Sequence, residues 1–313
     1  MGVFYETLPP SLVTWLLEQK VFWIGSAPLA GDGHINVSPK GVSDKGGPFF
    51  GVIKERRPSS TATVTGKPTI QNGHSNGTAD TDTENGNDND KDKDKDIVIR
   101  KFWYMDLTGS GIETTSHLHE PGNGRITVMF NAFHGPPRIL RIFGKGNVLE
   151  YGTREFNDIV SSQNINIIPG TRSIILVDID QVGTSCGFSM PCYDFVGFRS
   201  TLNDFFEKKV ADEKAGKRKT GIEVYWAHKN ACSMDGLPGL QRGVKTGITE
   251  KVTPIKKMVG PTAPVKGPRR PRQAFTVGHL ILVAILSFLS TAVVILFLLK
   301  LGVGGYRLNR ALA

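Results

Sequence analysis

Cysteine is scarce in this chain: Cys186, Cys192 and Cys232 are the whole complement in 313 residues. An odd, low count excludes a disulfide framework, and no second Cys pair or His cluster turns Cys186 and Cys192 into a metal site. The three read as reduced thiols of an intracellular domain, with Cys186 and Cys192 packed in the fold. The N-terminus, MGVFYETLPPSLVTWLLEQK, lacks both a basic start and an apolar run, so no signal peptide is expected. A basic bias is also missing from most of the chain, although the net charge is +9. Nine lysines and arginines against the single Glu250 lie between Gln241 and Ala274, and Lys300, Arg307 and Arg310 follow. Residues 1–240 are left with a charge of −2, which excludes the basic face that a nucleic-acid partner needs.

One long apolar run is present. Residues Leu280–Leu299, LILVAILSFLSTAVVILFLL, pass without a charge. At about 1.5 Å per residue such a helix spans roughly 30 Å, the thickness of the hydrocarbon layer. With its flank, Phe275–Leu299 is expected to be a single transmembrane helix at the C-terminal end, followed by a short tail over 300–313. Lys and Arg are denser before the span than after it, which predicts a tail anchor with the main domain in the cytosol, on the endoplasmic reticulum or the mitochondrial outer membrane. The basic, Pro-rich 241–274 reads as an extended linker lying near anionic headgroups.

Residues 54–96 have almost no large apolar side chains and end in alternating Asp and Lys. Such a stretch cannot bury enough surface to offset its ordering entropy, so it is expected to be a disordered insert. The sequon Asn76-Gly77-Thr78 lies within it and would be idle in the cytosol. The segments on either side, GGPFFGVI and IVIRKFWYMDL, read as two strands of one domain.

The rest of 1–240 is mainly β. Runs rich in β-branched and aromatic residues occur at 21–27, 34–38, 48–53, 97–107, 125–132, 137–151 and 172–182, separated by AGDGH, SDKGG, EPGNG and HGPP turns. Helices are expected at Pro10–Lys20, Ile112–Glu120, Ser200–Ala215 and Glu223–Ala231. Closely spaced strands with few helices point to a barrel, not a doubly wound sheet. The aromatics at 102–104 are barrel wall, and His34 is a turn residue. His117 and His119, two apart on a helix, point to different faces and make a poor metal pair.

The stretch LTGSGIETT (107–115) follows a strand and opens a helix, as a dinucleotide loop would. Thr114 stands where the third Gly belongs, and a short meander follows instead of a crossover helix, so the Rossmann reading fails. Two readings stay open: an anion site made by backbone N–H groups with the Ser110, Thr114 and Thr115 hydroxyls, or a helix merely capped by Thr108 or Ser110.

HINVSPKG, FWYMDL, LTGSGIETTSHL, RITVMF and PRILRIFGKG follow one another in the order of the pyridoxamine 5'-phosphate oxidase family, and the chain most resembles its fungal and bacterial oxidase-like branch. CGFSMPCYDFVGFRSTL and YWAHKNACSMDGLPGL extend the resemblance to about residue 240. It implies an antiparallel six-stranded split barrel with peripheral helices, a homodimer, and FMN at the subunit interface. It implies flavin contacts from Asn36, Ser38 and Lys40 on one strand, and from Ser110, Gly111, Thr114 and Thr115 at the corner from Met105 to Thr115. Arg141 is a further candidate, with Arg138 as its alternative. The family's Arg-Lys pair at the corner is replaced here by Ser110, Gly111 and Thr114. The Arg-x-His that holds pyridoxamine phosphate is reduced to His228. The resemblance therefore implies an FMN-dependent oxidoreductase of another substrate, or a split barrel that binds flavin or haem, or no ligand, without turnover.

Overall fold

The computed structural model describes residues 2–41, 48–56, 97–260 and 277–300. The chain divides into two compact units, 1–270 and 271–313. In the first, eight strands form one antiparallel sheet: β1 (Val3–Tyr5), β2 (Val21–Ser26), β3 (Asn36–Gly41), β4 (Phe50–Arg56), β5 (Ile97–Leu107), β6 (Arg125–Asn131), β7 (Ile139–Glu150) and β8 (Thr171–Ser185). The path runs β3-β2-β6-β7-β8-β5-β4, with β1 paired to β8. The six strands implied by the resemblance become eight. One addition has a simple cause: β8 outruns β5, which covers Thr171 to Asp178, and β1 takes up the edge left free at Val182–Thr184.

The sheet curls on itself. Phe22 of β2 and Phe50 of β4 lie near opposite ends of the path, yet their ring centroids are 5.1 Å apart. Phe130 stacks on Phe22 at 5.2 Å, and Phe102 and Tyr104 of β5 close the cluster edge-on. These rings are buried and hold the interior through area and edge-to-face geometry. Trp103 is buried too, so the 102–104 aromatics are indeed wall. The register between β7 and β8 shifts between Phe143 and Gly144, which pair with Gln181 and Ile179 and leave Asp180 of β8 as the extra residue. A Cβ on Gly144 would collide with the Asp178 carbonyl, so only glycine permits the close approach.

Six helices accompany the sheet. They are α1 (Pro10–Leu17), α2 (Glu113–His119), α3 (Arg154–Ser162), α4 (Thr201–Lys214), α5 (Ile222–Tyr225, continuing as a π-helical turn through Asn230) and α6 (Gln241–Thr249). Helix α1 buries Val13 and Leu16 against the barrel. The sequence reading missed α3, whose Thr153 side chain caps it by accepting from the Phe156 N–H at 3.2 Å. A second apolar cluster joins Ile112, Phe206, Ile222, Trp226 and Leu240.

The first part of the expected linker folds instead. The Glu150 carboxylate accepts the Gln241 and Arg242 N–H groups at 2.7 and 3.2 Å, capping α6. Arg242 pairs with Glu223 at 2.6 Å, and Lys257 with Glu113 at 3.4 Å. The basic charge of this stretch is met by acids far away in sequence, which a local reading takes for solvent-facing charge. The expected insert also starts later, because Lys54, Glu55 and Arg56 continue β4 and pair with Ile99, Val98 and Ile97. The remainder of the insert, the linker from 261 and the tail from 301 lie outside the described residues.

The second unit contains α7 (Val277–Lys300). Over Gly278–Lys300 its mean hydropathy reaches 2.9, long and apolar enough to cross a membrane. The Ser290 and Thr291 hydroxyls donate to the Ser287 carbonyl at 2.8 and 2.9 Å, so these two polar groups are satisfied within the helix.

Candidate functional site

Strand β3 alternates half-buried and exposed residues, which puts Asn36, Ser38 and Lys40 on one face. The Asn36 amide donates to Ser38 Oγ at 2.9 Å and to Thr114 Oγ1 at 3.1 Å, tying this strand to α2. Between the two elements lies a cavity of about 330 Å³. Ser38, Lys40, Ser110, Gly111 and Thr114 line it, so five of the expected residues converge from two separate segments.

Its floor is an ion network. Lys40 Nζ meets Asp106 Oδ1 at 2.8 Å, and Arg172 Nε meets Asp106 Oδ2 at 2.7 Å. Side-chain exposure is 1% for Asp106, 5% for Arg172 and 18% for Lys40, so the aspartate is sealed beneath the two cations. Burial pushes the Asp106 carboxyl up, but the Arg172 guanidinium and the Lys40 ammonium, each also hydrogen-bonded to it, hold it far below the usual carboxylate range. The network carries one net positive charge facing the cavity.

A bulge aims Arg172. Asp106 pairs with Ser173 and Leu107 with Thr171, so Arg172 is the extra residue between them. Its Nη1 donates to the Gly111 carbonyl at 2.6 Å. The Asn230 amide donates to the Gly109 carbonyl at 2.9 Å. The Trp226 indole donates to Thr108 Oγ1 at 2.9 Å, and that hydroxyl donates to the Gly170 carbonyl at 2.6 Å. The glycine loop is thus held from behind by the C-terminal part of the domain. A Cβ on Gly111 would come within 2.7 Å of Glu113 Oε2, so the carboxylate would have to shift to admit one. Neither Thr108 nor Ser110 caps α2: the N-cap is Ile112, whose N–H donates to Glu113 Oε2 at 2.9 Å. The plain capping reading is therefore ruled out.

Other expected residues lie elsewhere. Thr115, on α2, is buried away from the cavity lining, and its hydroxyl has no partner. Arg141 donates to Ser185 Oγ at 3.3 Å, and Arg138 lies over the Trp15 ring, so neither lines this cavity. Cys186 and Cys192 are exposed instead of packed. His34 is more than a turn residue: Asp235 accepts from its N–H at 2.8 Å and meets its Nδ1 at 2.7 Å. His117 bonds Ser26 Oγ at 2.9 Å, while His119 bonds the Gly239 carbonyl at 3.1 Å, confirming their separate faces. No cluster suited to a metal ion occurs among the described residues.

Asp106 and Arg172 were missed by the sequence reading. A signal existed in an acid closing the apolar run FWYMDL and an arginine opening RSIILVDID. Neither is distinguishable from a strand-end charge until the bulge brings them together.

Comparison with known proteins adds a relative. No family model matches the chain. A curated protein of Aspergillus flavus, the pyridoxamine 5'-phosphate oxidase family protein ustO, is 32% identical over 257 residues, covering 78% of this chain and 80% of the relative. Solved structures with remote similarity include HupZ of Group A Streptococcus, at 9% identity and a TM-score of 0.31, covering 56% of this chain and 92% of that one. They also include the FAD binding protein of Mycobacterium smegmatis, at 11% identity and a TM-score of 0.30, covering 57% and 96%.

Proposed function

Because the chain belongs to the pyridoxamine 5'-phosphate oxidase family, we propose that the cavity between β3 and the 105–114 corner holds the phosphate end of FMN. The observation that carries this reading is the convergence on one cavity of Ser38, Ser110 and Thr114 with Lys40 and Arg172. The donor set fits. Three hydroxyls suit phosphate oxygens, and the net positive charge of the Lys40–Asp106–Arg172 network matches an anion without leaving a bare cation in the apoprotein. When bound, FMN would supply hydride or electron transfer to a substrate. The chain would bind the phosphate, orient the ring and exclude water. Among the described residues, the ionisable side chains lining the cavity, Lys40, Glu113 and Arg172, are all committed to ion pairs, so none is assigned a proton-transfer role. That observation also favours a second reading, a flavin-binding module without turnover.

The same proposal includes a homodimer. Between β8 and α4, Phe188, Tyr193, Phe195 and Val196 are exposed, as is Phe205 on α4. Leu202, one turn away, lines the cavity. Exposed apolar side chains of this kind are what a second copy would cover. It further includes a single-pass anchor formed by α7, with the flavin domain in the cytosol.

The test is the visible spectrum of the purified full-length protein, followed by release and identification of the chromophore. FMN in the released fraction supports the reading, and a colourless protein that FMN cannot reconstitute sinks it. Reductant-driven turnover would then separate the enzyme from the silent module. Lys40→Ala with Ser110→Ala is expected to lower FMN retention at least tenfold, and unchanged retention would remove this cavity as the site.

A further inference from the structure

A second pocket, of about 560 Å³, lies wholly within residues 231–258. It is larger than the first and falls inside the range for small-molecule sites, roughly 300–1,000 Å³. Its body is apolar: Met234, Val244, Val252, Ile255 and Met258 line it, with Ile248 at the rim. Among the described residues, its charged lining consists of Lys256 and Lys257, with no carboxylate. Cys232 is half-buried in the wall, and burial pushes its thiol up, while burial likewise lowers Lys257.

The two pockets share a partition. Glu113 lines the first and Lys257 the second, and the two meet at 3.4 Å. Glu113 Oε1 also accepts from the Met234 N–H at 3.2 Å, so this one carboxylate pins the wall of the apolar pocket from its far side.

The geometry points to a binding site for an apolar small molecule that carries one carboxylate. The apolar walls take the body of the ligand. The two lysines take its charged end, because a neutral hydrocarbon would leave them unused and a cation would be repelled. Lys257 cannot serve an incoming carboxylate and Glu113 equally, so occupancy here loosens Glu113 in the neighbouring cavity. Binding itself does not depend on flavin. Only this last link rests on the flavin reading.

The sole-thiol chain, full length with Cys186→Ser and Cys192→Ser, gives a built-in reporter. In lipid nanodiscs, the rate of Cys232 alkylation by iodoacetamide is measured against rising 2-naphthoate, and against 2-naphthamide as the uncharged control. Saturable slowing of at least threefold by naphthoate, at concentrations where the amide does little, is expected. Val244→Trp should abolish the protection. Ile248→Trp, at a position already largely exposed, should weaken it without a risk to folding, and Lys256→Gln should narrow the gap between naphthoate and amide. No saturable protection in the parent chain overturns the proposal, as does protection indifferent to all three variants. A Cys232 that does not react even without ligand also overturns it, since another part of the chain or a second copy then fills the pocket. FMN content is read from absorbance on the same samples. Protection in a colourless protein upholds this site while sinking the flavin reading, and a yellow protein without protection does the reverse.

Discussion

The middle of strand β5 and its C-terminal end solve the same problem in opposite ways. At Phe102 and Tyr104 the strand faces an interior of aromatic rings, where stability scales with area and packing. Two residues beyond Tyr104, Asp106 is just as buried but sits between Lys40 and Arg172, where stability rests on charge balance. The aromatic half makes a container and nothing more. The charged half is costly to bury, contributes little net stability, and is the part that faces the cavity. Burial by area and burial by charge balance thus share one strand.

The contrast can be tested from both sides. Phe102→Ala should have the largest effect, about 3–5 kcal/mol of unfolding free energy from the cavity left behind. That loss should be the same at low and high salt, in denaturant titrations of the full-length protein. Asp106→Asn should cost about 3 kcal/mol by leaving Arg172 and Lys40 unbalanced. Unlike the phenylalanine change, it should also alter FMN retention in whatever protein remains folded. Equal retention in the two variants would erase the distinction. Trp226→Phe removes one buried hydrogen bond to Thr108 and should cost about 1 kcal/mol. It would show as earlier hydrogen exchange at the glycine loop before any change in the barrel.

The smallest effect is on pH dependence. The depressed Asp106 carboxyl contributes stability that is complete above its unfolded value, about pH 4, and is lost as pH falls toward its folded value. His117 is held below its ordinary value by burial, so its share is lost earlier, as pH drops through about 6.5 and the unfolded chain takes up the proton. Phe102→Ala should keep both limbs of the stability profile, whereas Asp106→Asn should flatten the acid one only. A profile identical in the two variants would mean that the aspartate carries no special charge role.

How much of this was legible in sequence follows from the range of the forces. The strand at 97–107 was readable to the residue, because enrichment in β-branched and aromatic residues is local. The face shared by Asn36, Ser38 and Lys40 follows from the two-residue period alone. Helix α6 was not readable, because its cap is Glu150 and its ion partner Glu223, neither of them a neighbour in sequence. Arg172 was hidden for a similar reason: a bulge is a mismatch between two strands and has no signature in either one. Thr115 and Arg141 were expected in the site because of their residue type. The structure buries one within α2 and sets the other on β7 beside Ser185.

The pairing of Arg56 with Ile97 has a consequence for how this gene can be edited. Forty residues of sequence separate two positions that face each other across a ladder. The barrel therefore sets where that excursion begins and ends but places no limit on its length, since doubling a loop costs only about 0.6 kcal/mol in closure entropy. A two-residue Asn-Gly turn could replace the whole excursion, and a reporter domain with adjacent termini could be spliced in its place. The junction is a natural splice port, and it lies at the end of β5 away from Asp106.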